Sequence, residues 1–385
     1  MRRKAVVITI AVLAIASFFG GAAFAADNVI KLGAILAVTG PAASLGGPEA
    51  RTLEMLVADT NKAGGVLGRQ VQLILKDSQG SAEKAVSFAK QLVEEEGVLA
   101  VIGPSTSGES MALKGYFDQN ETILLSCASA EAIINPVMKW VFKTPQNDGL
   151  AVLRIYQVMK TLGITRIGAV ISSSGFGQLG KAQLEKLAPE NGITIVIGET
   201  YDATSTDLTG VLTKVKAQNV QAVVNWSIEP AQSIVAKNMR QLGMEQPLFQ
   251  SHGFGNITYV NAAGKAAEGI IFPCGRLFYA DQLPASHPQK QLLINYKRAY
   301  EAKYKEDAST FGGHANDAFL IITEALKRAG TTDKYKVRDA IESIKGFAGT
   351  GGIFNFSPTD HTGLTLDAFE MFTVKNGEFV LYTGK

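Results

Sequence analysis

The feature that most restricts the fold of this chain is a strand, loop and helix unit that recurs along it, with small and hydroxyl-bearing residues where each strand ends. The clearest copies lie between Val98 and Lys143. An apolar strand over 98–102 breaks into Gly103-Pro104-Ser105-Thr106-Ser107-Gly108 and enters a helix whose apolar positions include Met111, Ala112, Tyr116 and Phe117. A second strand, over 123–125, ends in Ser126-Cys127-Ala128-Ser129-Ala130. Strands joined through helices run parallel. Both loops therefore reach one edge of the sheet, where helix-start N–H groups without intrahelical acceptors point outward. The spacing predicts an anion cradle.

The same alternation runs to either side. A strand over 30–37 leads into a glycine-rich loop, 42–48, and a helix over 49–62 closed by Gly64-Gly65. A strand over 71–76 precedes a helix capped by Ser81, with Ala82, Ala85, Val86, Ala89, Leu92 and Val93 at helical spacing and Gly97 as its stop. After Pro145 the pattern restarts with strands over 166–171, 193–197 and 222–226, helices over 177–187, 208–217 and 231–242, and two further strands over 247–251 and 269–272. Two long helices follow, 289–305 and 313–329, then a shorter one, 334–345. The chain closes with a hairpin pair, 369–374 and 378–382, turned by Asn376-Gly377. Two successive sheets place the chain in the α/β class, with two doubly wound lobes.

Composition narrows the function. The 37 basic and 35 acidic residues nearly cancel, which gives no electrostatic footprint for nucleic acid. At 46% hydrophobic over 385 residues there is apolar material for two cores. Arg2, Arg3 and Lys4, an apolar run over 5–19 and Ala23-Phe24-Ala25 read as a cleavable secretory signal over 1–25, and no cysteine follows to take a lipid. The expected location is the periplasm. Cys127 and Cys274 form one bridge or remain two thiols, and sequence leaves both open. His252, His287, His314 and His361 stand singly, without zinc spacing, so neither metal nor cofactor is expected. The chain has no G-x-S-x-G or H-E-x-x-H, and the expectation is a protein that is not an enzyme.

One motif points elsewhere. Gly175-Phe176-Gly177-Gln178-Leu179-Gly180 is a literal G-x-G-x-x-G, and Glu199 follows at the spacing of a ribose-binding acid. Against a dinucleotide, Ser172-Ser173-Ser174 puts the first glycine several residues beyond the strand. Trp226 and His252 also follow strand ends, where open α/β sheets bind ligands. Their plainer readings are a core tryptophan and a structural or surface histidine.

Thr39-Gly40-Pro41, Ala58-Asp59 with Asn61, Gly64-Gly65 with Gly68-Arg69, Asp77 and Ile102-Gly103-Pro104-Ser105 together resemble the leucine- and branched-chain-amino-acid-binding proteins. These are type I periplasmic solute-binding components of ABC importers, and the resemblance runs from Asp27 to the C-terminus. It implies two α/β lobes joined by three hinge crossings, lobe 1 being 27–145 plus 274–350 and lobe 2 being 146–273 plus 351–385. Hinges would fall near Pro145, Pro273 and Gly349-Thr350-Gly351-Gly352. The resemblance further implies that Ser107 and Gly108 hold a ligand carboxylate, the plainer reading being a helix N-cap. In the second loop an ungapped match gives Ala128 and Ala130, whereas a one-residue gap makes Ser129 the hydroxyl donor beside the Ala128 backbone. Phe176 would cover the ligand from lobe 2.

Amino-acid-binding members place a glutamate near His252-Gly253 and tyrosines near Leu45 and Ile228 for the ammonium group. This chain has none of these. The ligand is then either a branched-chain amino acid, with Glu229 or Asp148 as substitute acid, or an aromatic or aliphatic organic acid packed on Leu45, Phe176 and Trp226. The implied partners are that small molecule and a membrane permease, with the protein itself a monomer. A sensing subunit for a signalling partner is the alternative.

Overall fold

The structure is a computed structural model that describes residues 29–384; the signal expected over 1–25 lies outside them. In the first half β1 (Val29–Leu36), β2 (Gln70–Asp77), β3 (Ala100–Ile102), β4 (Ile123–Ser126) and β5 (Val141–Lys143) form a wholly parallel sheet in the order β2-β1-β3-β4-β5. The helices α1 (Ala43–Lys62), α2 (Ala82–Lys90) and α3 (Ser107–Gln119) connect its first four strands. Alternate side chains supply two cores. Leu32, Ala34, Ile102 and Leu125 join one face, and Ile35, Val101 and Leu124 join the other with Leu92, Leu113 and Phe117. A sheet covered on both faces needs such unbroken apolar strands.

The second half begins with α4 (Asp148–Thr161), an element not expected from sequence. It continues through β6 (Arg166–Ser172), α5 (Gly175–Leu187), β7 (Thr194–Tyr201), α6 (Thr209–Lys216), β8 (Ala222–Trp226), α7 (Ala231–Gln241), β9 (Leu248–Gln250), α8 (Ile257–Ala263) and β10 (Ile271–Cys274). The chain then returns to the first half. There α9 (Lys290–Tyr304), α10 (Thr310–Ala329) and α11 (Lys334–Glu342) precede the short pair β11 (Phe347–Ala348) and β12 (Ile353–Phe354). Ala315, Phe319 and Ile322 of α10 fill the first core, as do Phe354, Phe356 and Leu364 from the stretch 351–368 that the resemblance groups with the second lobe. Only β13 (Glu370–Lys375) and β14 (Glu378–Leu381) rejoin the other sheet, whose order is β14-β13-β10-β9-β8-β6-β7. They pair antiparallel, and Asn376 and Gly377 turn between them with φ of 54° and 77°.

The loop expected over 42–48 is instead the opening of α1. Gly46 permits this, because a β-carbon there would fall 2.3 Å from the Ala37 carbonyl. Pro48 lies within the helix and has no N–H for the carbonyl of Ser44. Asn256, from the second half, donates its Nδ2 to that carbonyl at 3.1 Å.

Cys127 and Cys274 are both buried free thiols. Among the described residues no helix is long and apolar enough to cross a membrane, and no His, Cys, Asp and Glu cluster could hold a metal ion.

Candidate ligand-binding site

The loop after β3 enters α3 through a capping box. Thr106 Oγ1 accepts the Glu109 amide at 3.4 Å, and Glu109 Oε2 accepts the Thr106 amide at 3.3 Å. Thr106 is thus the N-cap, which leaves Ser107 and Gly108 as the first two helical residues, whose amides have no intrahelical acceptor. Ser107 Oγ accepts the Ala130 amide at 3.4 Å and ties the two loops together. In the second loop Ser126 Oγ takes the Ala128 amide at 3.1 Å, so that backbone donor is already committed. Ser129 and the Ala128 methyl face the space between the halves. Ala130 is fully buried behind them and does not line it.

From the second half, α5 begins at Ser174, whose Oγ accepts the Gly177 amide at 3.2 Å. Phe176 projects from this first turn and stacks on Trp226, with centroids 5.8 Å apart and planes at 26°. Trp226 is completely buried beneath Phe176 and supports the wall without forming it. The G-x-G-x-x-G glycines are accounted for by packing. A β-carbon at Gly175 would lie 2.7 Å from Gly108 Cα in the other half, one at Gly177 2.0 Å from the Ser172 carbonyl oxygen, and one at Gly180 1.9 Å from Trp226 Nε1.

Two cavities meet at Phe176 and Ile228. The inner one, about 20 Å³, is lined by Ser105, Ser107, Cys127, Ala128 and Ser129 from the cradle loops, by Leu45, Phe311 and His314 from α1 and α10, and by Phe176, Ile228, His252 and Gly253 from the second half. The outer one, about 300 Å³, opens past Gly108, Glu109, Gly175 and Glu229. Of the residues expected from sequence, Leu45, Ser107, Ala128, Ser129, Phe176 and His252 come together in the inner cavity, and Gly108 lies at its mouth. Phe311 and His314 carry no local signal, because they lie in the opening turns of α10, which follows no strand end in the sequence.

The inner cavity is poor in negative charge of its own. No acidic side chain lines it among the described residues. Glu49 approaches through Ser105, whose hydroxyl donates to it, but burial pushes this carboxyl up to about 8, so it is mostly protonated at neutral pH. Lys143 ends β5 fully buried, its Nζ donating to the Pro145 carbonyl at 2.7 Å; burial depresses its pKa, and burial raises that of nearby Asp148. His252 and His314 are both pushed down to about 3, first by burial and then by the Lys143 charge. Both imidazoles are therefore neutral. His252 makes T-shaped contacts with Phe176, Trp226 and Phe369 at 5.5, 5.7 and 5.7 Å, and neither of its ring nitrogens has a partner.

Two α/β halves that close over such a cavity make a bilobal solute-binding protein. The chain belongs to the periplasmic binding protein family, whose model matches residues 29–378. A leucine-, isoleucine-, valine-, threonine-, and alanine-binding protein of Pseudomonas aeruginosa is 26% identical over 345 residues, 89% of each chain. An extracellular ligand-binding receptor from Rhodopseudomonas palustris HaA2 superposes with a TM-score of 0.86 at 26% identity, over 92% of this chain and 99% of that one. A solute binding protein of an ABC transporter from Rhodopseudomonas palustris BisB5, in complex with 3,4-dihydroxy benzoic acid, has the same fold at a TM-score of 0.79 and 17% identity, over 91% and 95% of the two chains. The relatives are binding proteins, and this chain is a binding protein rather than an enzyme.

Proposed function

We propose that the protein captures a small organic acid without an ammonium group between its two lobes in the periplasm and presents it to the permease of an ABC importer. On this reading residues 1–25 are an export signal, the protein acts as a monomer, and no cofactor takes part. The carboxylate would lie against the Ser107 and Gly108 amides and the Ser129 hydroxyl, with its apolar body on Leu45, Phe176 and Phe311, the halves parting to widen an inner space that at about 20 Å³ holds little more than one water. The observation that carries the reading is the lining of the inner cavity, which includes Ser107, Ser129 and two neutral imidazoles and no carboxylate. An ammonium group enclosed there would have no counter-charge. The name of the Pseudomonas relative favours a second reading, an aliphatic amino acid. Its ammonium would have to reach the outer cavity, where Glu229 Oε2 already accepts the Ser227 hydroxyl at 2.7 Å and the Ile228 amide at 3.2 Å and Glu109 Oε2 the Thr106 amide at 3.3 Å.

Thermal unfolding of the protein lacking residues 1–25 tests this, since a ligand that binds only the folded form raises the melting temperature. Leucine, isoleucine and valine would be compared with 4-methylvalerate, benzoate and short-chain acids and amides. Acids are expected to stabilise. Stabilisation by leucine without any by 4-methylvalerate overturns the reading.

A further inference from the structure

We propose that the acid carries a hydroxyl group, and that His252 and His314 select for it. The inference rests on the reading of the site as one for an acid without an ammonium group. A neutral imidazole has one N–H and one bare lone pair. His252 is 8% exposed, it lines the inner cavity, and Nδ1 and Nε2 are both buried without a partner. One of the two nitrogens therefore needs an acceptor and the other a donor, whichever tautomer is present. A carboxylate only accepts and serves the N–H alone. The faces of Phe176, Trp226 and Phe369 also serve only an N–H, and weakly, because the negative face of an aromatic ring repels a lone pair. The lone pair is left wanting an O–H or N–H.

Of the hydroxyls around the two rings, those of Ser107 and Ser129 go to the carboxylate on the reading above, and the others are spent within the protein. Ser251 Oγ donates to the Ser227 carbonyl at 3.0 Å, Thr310 Oγ1 to the Gly255 carbonyl at 3.1 Å and Thr144 Oγ1 to the carbonyl of His314 at 2.9 Å. The Ser105 hydroxyl is on Glu49. His314, 7% exposed, lines the same cavity from the opposite half, and its Nδ1 is likewise buried and unpartnered. A hydroxyl both donates and accepts. Placed between the imidazoles it answers the lone pair of one ring and the N–H of the other, and it links the two halves. A keto oxygen cannot do so, because it donates nothing.

Matched series measured by calorimetry on the signal-free protein decide the matter. One series is 4-methylvalerate with its 2-oxo and 2-hydroxy forms. Others are benzoate with 4-hydroxybenzoate, and phenylacetate with 4-hydroxyphenylacetate. In at least one series the hydroxy acid is expected to bind tenfold or more tightly than the unsubstituted acid and, where it is present, the keto acid. A buried polar group left unpaired penalises the analogue that lacks its partner. His252→Phe keeps a ring among the aromatic side chains and removes both nitrogens; the hydroxy-to-parent affinity ratio should fall to near one. Equal affinities in every series would mean that a trapped water answers the lone pair, and would overturn the inference while leaving the acid reading intact. An unchanged ratio in His252→Phe also overturns it. If no acid binds and leucine does, both fall together.

Discussion

Ser107 shows how a single side chain can serve both fold and ligand. Its Oγ holds the Ala130 amide, and the residue lines the inner cavity. Replacing it by alanine is expected to weaken acid binding by about 1–3 kcal/mol in calorimetry; an unchanged Kd would remove Ser107 from the site. Glu49 gives a pH signature. Its carboxyl, ordinarily near 4.5, is held up to about 8 by burial, so between those values the folded chain keeps a proton that the unfolded chain has released. Folding stability therefore falls as pH rises through that window. In urea unfolding at a series of pH values, Glu49→Gln should flatten the fall by up to about 1.4 kcal/mol per pH unit. Ser107, Ser129, Phe176 and His252 could be placed from sequence because each follows the carboxyl end of a strand, the first two in one sheet and the last two in the other. Trp226 meets the same condition yet lies one layer deeper, since sequence marks where a strand stops and not which side chain stands in front. His314, a helical residue with no neighbouring motif, gave no signal.

At the scale of elements, the alternation of strands and helices was readable because buried parallel strands need continuous apolar runs and crossovers. The start of α1 was not. Two glycines and a proline over 42–48 suggest a loop, and what permits helix there is tertiary: the close approach of Gly46 to Ala37 and a donor for the Ser44 carbonyl supplied by Asn256. The glycines of α5 make the same point. They satisfy a dinucleotide pattern, yet each is required by a contact. Gly180→Ala drives a methyl into Trp226 and is expected to lower unfolding stability by about 1–3 kcal/mol in denaturant titration. Gly175→Ala presses on the Gly108 backbone of the other half. It should weaken acid binding in calorimetry by at least tenfold, with little change in the melting temperature of the ligand-free protein; intact affinity would show that the halves need not approach so closely.

Over the whole molecule, several polar contacts run directly between the halves. Ser44 meets Asn256 through its carbonyl and Tyr259 through its hydroxyl, the latter at 2.5 Å; Thr310 donates to Gly255; and Gln183 Nε2 donates to Glu131 Oε2 at 3.1 Å. The closed arrangement thus has support of its own, and a ligand adds to it by biasing an existing equilibrium. Asn256→Ala combined with Gln183→Ala should enlarge the radius of gyration of the ligand-free protein in small-angle scattering, and saturating acid should restore it. Identical curves for variant and wild type would show that these contacts do not hold the halves together. The backbone meeting of Gly108 and Gly175 has a last consequence. It brings the leading ends of α3 and α5 nose to nose, and a helix carries partial positive charge at that end. Two like poles crowd each other when the jaws shut, and an anion held between them turns that repulsion into shared attraction.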